Sequence, residues 1–151
     1  MAPEGMVHAL EEIHRLLRRA GTLIEIHPAL ESPLLEVSSN GEASFSEVDP
    51  GFDYEDDSRR AEDAVAAVVV RGVYILDESR RFELRTHASS MEELQQHWAV
   101  ADAYDLEEKD AALARRQDEM YRRARGFLER SPGAELLYVE PATISRLTPF
   151  R

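Results

Sequence analysis

One stretch of this sequence constrains the fold more than any other: residues 9–28, which read ALEEIHRLLRRAGTLIEIHP. Leu10, Ile13 and Leu17 recur at helical spacing among charged side chains, and this periodicity predicts an amphipathic helix. The single glycine of the stretch is the expected C-terminal stop of that helix. Residues 22–26 are apolar and β-branched and too short for a helix, so they predict a buried strand. The His-Pro pair ends this strand, because proline has no N–H to continue a ladder.

Residues 12–26 read EIHRLLRRAGTLIEI. This segment resembles the pattern E-x-x-R-V-L-R-P-G-G-x-L followed by an apolar strand, which forms the helix, turn and fifth sheet strand of class I S-adenosylmethionine-dependent methyltransferases of type 11. The matching positions are Glu12, Arg15, Leu16, Leu17, Arg18, Gly21 and Leu23. Arg19 and Ala20 depart from the pattern, since the family usually has a proline and its first glycine there.

The resemblance implies the carboxyl-terminal half of such an enzyme. The implied fold is α/β, or α+β as an isolated chain: a partial Rossmann-like sheet with an inserted β-hairpin and a long helical segment. The family holds its cofactor on a glycine-rich loop after the first strand and on an acid at the end of the second, and both precede this stretch. The seven glycines here are scattered singly, with no G-x-G-x-G. We therefore expect no cofactor-binding and no catalytic residues in this chain, and S-adenosylmethionine is implied only for the family.

The composition limits the classes of partner. The 151 residues carry a net charge of −12, which argues against nucleic acids and anionic membranes as partners, because both attract a basic face. The absence of cysteine excludes disulfides and thiolate chemistry. The length predicts one domain, residues 1–151. The start has no basic segment followed by an apolar core, and no apolar run could span a bilayer, so a cytoplasmic location is expected.

Beyond residues 9–28, the clearest local signal is Asn40-Gly41, which predicts a β-hairpin over residues 34–48. Asp49-Pro50-Gly51 after it reads as a turn. Periodicity predicts a helix at 60–70 and an extended segment at 72–90, with a turn at 77–80 as an alternative. A helical segment follows at 91–130, broken at 102–105, and Ser89 or Ser90 is its expected cap, since Ser90 and Glu93 have capping-box spacing. Strands are predicted at 136–139 and 143–147, separated by a turn or bulge at Glu140-Pro141.

Two residues are candidates for facing a substrate, His27 and Tyr54. His27 ends a predicted strand, and ligands gather at the carboxyl ends of strands in open α/β sheets. Its imidazole could orient a substrate or act as a base, but the sequence favours a histidine that only hydrogen-bonds locally. Tyr54 could line a pocket, but the sequence favours packing in the core or on the surface. The five histidines show neither H-x-x-x-H nor H-E-x-x-H spacing, so no metal site is expected.

Two functional hypotheses follow. The first is the substrate-side half of a class I methyltransferase, with a small-molecule substrate implied by the resemblance, and not catalytically competent alone. The second is a non-catalytic α+β binding or dimerisation module. In the family, strand five pairs with strand four and with the carboxyl-terminal strand. Strand four has no counterpart here, so we expect residues 22–26 to keep the carboxyl-terminal partner, to leave the outer edge open and to favour a homodimer. The alternative is that the hairpin of residues 35–48 folds back and covers this edge within one chain.

Overall fold

The computed structural model describes residues 3–52, 55–102 and 110–150. Within these ranges the chain forms four helices and an antiparallel sheet of five strands, which confirms the α+β fold predicted for the isolated chain. In chain order the elements are α1 (Pro3–Leu16), β1 (Leu23–Pro28), β2 (Leu34–Ser39), β3 (Glu42–Val48), α2 (Glu55–Val70), β4 (Tyr74–Ala88), α3 (Met91–Asp102), α4 (Ala111–Arg130) and β5 (Glu135–Pro149).

The carboxyl-terminal strand β5 organises the sheet. The strand order is β1-β5-β2-β3, and β4 also pairs with β5. β5 runs antiparallel to both β1 and β2, while β2 and β3 form a hairpin. Among the described residues, β5 is the only strand that pairs with β1. This is the pairing expected for residues 22–26, and it leaves the outer edge of β1 open.

The chain divides into two compact units, and neither is one continuous segment. Unit 1 comprises Met1–Glu31, Tyr54–Phe82 and Pro141–Arg151, and unit 2 comprises Ser32–Asp53 and Glu83–Glu140. Each unit has an apolar core of its own. The prediction of one domain over residues 1–151 stays a prediction.

The core of unit 1 forms where α1 and α2 pack together. Its buried members are Val7, Leu10, Ala64, Val65, Val68, Tyr74 and Leu147. The Tyr74 hydroxyl donates a 3.0 Å hydrogen bond to the Leu10 carbonyl, and burial raises the pKa of Tyr74. At the end of β1, the buried Ser58 hydroxyl lies 2.7 Å from the Pro28 carbonyl oxygen and 3.0 Å from that of Ala29. These bonds fix the start of α2 against the end of β1.

The prediction that β1 is a buried strand is wrong for one of its faces. Ile24 and Ile26 are 52% and 56% exposed. Glu25 and His27 alternate with them, and the side chains of this second face are largely buried on the side that α2 contacts. A strand covered on one face must expose every second residue, whatever its hydrophobicity.

The hairpin of unit 2 forms as predicted. Asn40 and Gly41 both have positive φ, 53° and 82°, as a two-residue type I′ turn requires. A β-bulge after Val37 shifts the register, so that Ser44 has no paired residue in β2, although its hydroxyl donates to the Val37 carbonyl at 3.3 Å. The alternation nevertheless buries Val37 and Phe45 in the core of unit 2.

A turn at Glu140-Pro141, one of the two predicted alternatives, is wrong, since β5 continues through it. β2 pairs with Glu135 to Val139 and β1 pairs with Ala142 to Leu147, so the proline falls between two ladders. No ladder donor is needed there, and the Pro141 carbonyl accepts from the Ala29 N–H at 2.9 Å.

The alternative turn at 77–80 is also wrong, because β4 is one strand of 15 residues. Side chains tie it to β5 within this segment. Ser145 Oγ donates to Ser79 Oγ at 3.1 Å, and Thr148 Oγ1 donates to Asp77 at 2.6 Å. These contacts with β5 keep residues 77–80 extended. The segment also lacks glycine, proline and asparagine, the residues that favour turns.

The helical segment predicted at 91–130 contains α3 and α4. Ser90 Oγ accepts from the Glu93 N–H at 3.1 Å, and the Glu93 carboxylate accepts from the Ser89 N–H at 2.7 Å, which confirms the capping prediction. Asp110 caps α4 by accepting from the Ala112 N–H at 2.9 Å. The break predicted at 102–105 lies largely outside the described residues.

Candidate functional site: a cleft in unit 1

A cleft of about 440 Å³ lies in unit 1 between α2 and the strands β1, β4 and β5. Three valines and Ala66 of α2 line one side of the cleft, and Leu76 of β4 also lines it. The polar residues of the lining are His27, Glu62, Ser79, Thr143 and Ser145. The cleft is thus mainly apolar with a few polar groups, which is the usual character of a small-molecule site.

The alternation of β1 places the polar groups of the sheet together. Glu25 and His27 are two residues apart, so they share one face of the strand. In the antiparallel register, Ser145 lies opposite Glu25 and Thr143 lies opposite His27. Directly opposed residues also share a face. One patch of sheet therefore carries a carboxylate, an imidazole and two hydroxyls beneath α2.

His27 is the central residue of this patch. Its side chain is only 7% exposed, and its Nδ1 lies 2.9 Å and 3.0 Å from the two carboxylate oxygens of Glu25. A carboxylate only accepts, so Nδ1 carries the proton, and in the neutral ring the lone pair is on Nε2. Nε2 is buried and has no hydrogen-bond partner among the described residues. An unsatisfied buried polar atom costs about 1–3 kcal/mol, so it needs an explanation.

Among the described residues that line the cleft, no hydroxyl is placed as an activated nucleophile. Ser145 Oγ is hydrogen-bonded to Ser79 Oγ, and within the described part of the chain no hydroxyl is hydrogen-bonded to His27 Nε2. Nucleophilic catalysis needs the base within hydrogen-bond reach of the nucleophile. What the Glu25–His27 pair offers is an oriented acceptor beside an apolar cleft.

The two residues proposed from sequence have different outcomes. His27 lines the cleft, which agrees with its candidacy without testing a substrate role, whereas Tyr54 lies outside the described residues. Glu25 was not singled out, although its spacing of two from His27 in a strand was a usable signal. Among the described residues, no three His, Asp or Glu side chains are grouped so that they could hold a metal ion.

Unit 2 holds a second polar centre, at Asp49, which is only 1% exposed. Oδ1 accepts from the Gly51 N–H at 2.8 Å and from Gln117 Nε2 at 2.9 Å, and Oδ2 accepts from the Tyr138 hydroxyl at 3.0 Å. Each oxygen of this carboxylate therefore has a donor. A fully satisfied buried group of this kind supports the fold.

Comparisons with known protein families, with curated proteins and with solved structures found no match to this chain. Its function is therefore inferred from the cleft and from the sheet pairing. None of the described helices combines the length and the apolar character needed to cross a bilayer.

Proposed function

We propose that this chain is a methyltransferase-like module that supplies the substrate side of such an enzyme, binds a small molecule and transfers no methyl group on its own. The buried, unpartnered Nε2 of His27 carries the proposal. It belongs to the wall of a mainly apolar cleft with a few polar groups, which is the usual character of a small-molecule site. The proposed location is the cytoplasm, in keeping with a chain that has no cysteine.

The pairing of β1 supports the same proposal. β1 pairs with the carboxyl-terminal strand β5, as the resemblance to the fifth methyltransferase strand implies. On its other side, no described strand occupies the place that strand four would take. A Rossmann-like ancestry is part of this proposal and rests on these two features.

Isothermal titration tests the cofactor half of the proposal. The isolated chain should show no saturable binding of S-adenosylmethionine tighter than about 10 μM, equivalent to roughly −7 kcal/mol. Tighter binding would mean that the chain carries a cofactor site of its own, and the proposal that it supplies only the substrate side would be wrong.

An NMR screen of uncharged aromatic fragments tests the small-molecule half. Fragments should shift resonances of the cleft lining, and Ala66→Trp should abolish these shifts, because Ala66 is an exposed helical residue that lines the cleft. Ala112→Trp is the matched control, since Ala112 is also helical and exposed but belongs to unit 2. Equal effects of both variants would mean that the fragments bind elsewhere.

The second candidate function is dimerisation through β1. Its outer edge pairs with no described strand, and its exposed isoleucines, Ile24 and Ile26, offer apolar surface beside that edge. Open edges of this kind pair readily with a second chain. Light scattering after gel filtration should show a dimer that Ile24→Lys converts to a monomer. Leu84→Lys is the control, because Leu84 is 50% exposed on β4. A monomer at all concentrations over a hundredfold range would reject this function.

A further inference from the structure

We infer that the cleft takes an uncharged, largely apolar small molecule that carries one hydroxyl or N–H group and donates it to Nε2 of His27. This inference rests on the proposed role of the cleft as a small-molecule site, and it adds the chemical class of the ligand. Three properties of the lining define that class: its size and apolar walls, the acceptor fixed by Glu25, and the sign of its charges.

The size and the walls indicate a compact apolar molecule. At about 440 Å³ the cleft lies in the lower part of the range for ligand pockets, roughly 300–1,000 Å³. Apart from Glu62, the wall residues contributed by α2 are three valines and one alanine. A ligand of one or two rings fits such walls, and burial of its apolar surface supplies most of the binding free energy.

The acceptor defines the polar group of the ligand. Glu25 holds the proton of the ring on Nδ1, so Nε2 of the neutral ring can only accept. Nε2 is fully buried, and protein atoms therefore enclose it. The donor of a ligand must take the place of those atoms. Leu76 of the cleft wall is 41% exposed, so it can change rotamer without leaving a core.

The charges exclude an anion. Glu62 lines the cleft and Glu25 lies behind His27, whereas no lysine or arginine is among the described lining residues. A carboxylate or phosphate ligand would meet the Glu62 carboxylate and no lysine or arginine among these residues. Burying an unpaired charge between apolar walls is also costly, so an uncharged donor is favoured over an ammonium group.

A matched pair of probes tests the inference on the full chain. 2-Naphthol carries a hydroxyl donor, and 2-methoxynaphthalene has the same rings but only an acceptor. NMR titration should give 2-naphthol about fivefold tighter binding, the value of one hydrogen bond to a neutral group. The ¹⁵N resonance of His27 Nε2 should shift with 2-naphthol alone, because only that probe donates to it.

Variants separate the hydrogen bond from the apolar contacts. His27→Phe keeps a ring in the wall and should abolish the fivefold preference, while 2-methoxynaphthalene binds as before. Glu25→Gln keeps an acceptor for Nδ1 and should retain the preference. His87→Phe is the matched control, because His87 is exposed in unit 2, where its Nδ1 lies 3.1 Å from Glu135.

Equal affinity for the two probes, or an unmoved Nε2 resonance, would overturn the inference even if His27→Phe failed to fold. Absence of binding by either probe at millimolar concentration would overturn it too. Both readouts come from the wild-type chain and need no S-adenosylmethionine, so the cofactor titration remains a separate test of the proposed function.

Discussion

The buried carboxylate of Asp49 should be one of the strongest single contributors to the stability of unit 2. It joins the end of the β2–β3 hairpin to α4 and to β5, through Gln117 and Tyr138. A third donor is the Gly51 N–H of the turn that follows the hairpin. Asp49→Ala would remove the acceptor of all these hydrogen bonds at a site almost closed to water.

The expected loss follows from the number of donors. A buried donor that loses its partner costs about 1–3 kcal/mol, and more when that partner is charged. Water entering the space left by the carboxylate will offset part of the loss. We therefore expect Asp49→Ala to lower the free energy of unfolding by about 4 kcal/mol, with a fall in Tm of roughly 10 °C. Asp49→Asn keeps one acceptor oxygen and should lose about half as much.

The single tryptophan provides the assay. The ring of Trp98 lies 4.5 Å from that of Tyr138, between centroids, so its fluorescence during urea unfolding reports on this part of unit 2. The matched control is Asp118→Ala, since Asp118 is exposed on α4 and its loss should change the free energy by less than about 0.5 kcal/mol.

A second perturbation reaches the same network without touching the carboxylate. A Cβ at Gly51 would lie 2.2 Å from Gln117 Nε2, so Gly51→Ala should push the amide away from Asp49 and cost about 2 kcal/mol. In a Gln117→Leu background, Gly51→Ala should lower the free energy of unfolding by less, because the Gln117 amide that it displaces is already absent. A loss below about 1 kcal/mol for Asp49→Ala, or additive costs for Gly51→Ala and Gln117→Leu, would refute this account of the network.

Two further predictions concern single positions. Gly41→Val should lower the free energy of unfolding by about 1 kcal/mol or more through backbone strain alone, since a Cβ there meets no atom within 4 Å. Gly41→Asn should retain most of the stability, because asparagine tolerates positive φ. An unchanged urea midpoint for the valine variant would contradict this prediction. Burial raises the pKa of Glu140, and the charge of His97 only partly opposes this shift. Ionisation of Glu140 above this pKa therefore weakens the fold, and Glu140→Gln should raise Tm near pH 7. At about pH 3.5 the carboxyl group is protonated in folded and unfolded chains alike, and an equal gain there would contradict the burial mechanism.

The features that the sequence predicted correctly depend on neighbours in the chain. The Asn40-Gly41 turn and the cap at Ser90 each involve residues within four positions of one another. Both depend on local chemistry. The turn needs two adjacent residues that tolerate positive φ, and the cap needs a nearby side chain that accepts from a free helix N–H. The pairing of β1 with β5 was also predicted, but only through the resemblance to a known sheet.

The features that the sequence did not predict depend on distant partners. Ile24 and Ile26 form an apolar face of β1, but burial of a face requires an element that covers it. α2 covers the opposite face, which carries Glu25 and His27. Asp49 reads as a turn residue because its turn is local, whereas Gln117 and Tyr138 lie 68 and 89 positions away. His27 was identified from its place at a strand end, but no local pattern shows that Nε2 would lack a partner.

The two faces of β1 carry the two proposed activities, and this makes them separable. Ile24 and Ile26 are exposed on one face, while Glu25 and His27 belong to the side of the cleft. Successive side chains of a strand point to opposite faces, so a change at one face reaches the other only through the backbone. Ile24→Lys should therefore abolish self-association and leave the fivefold preference for 2-naphthol unchanged. His27→Phe should abolish that preference and leave self-association unchanged. If either variant altered both properties, β1 would couple association to ligand binding, and the two faces could not be assigned separate roles.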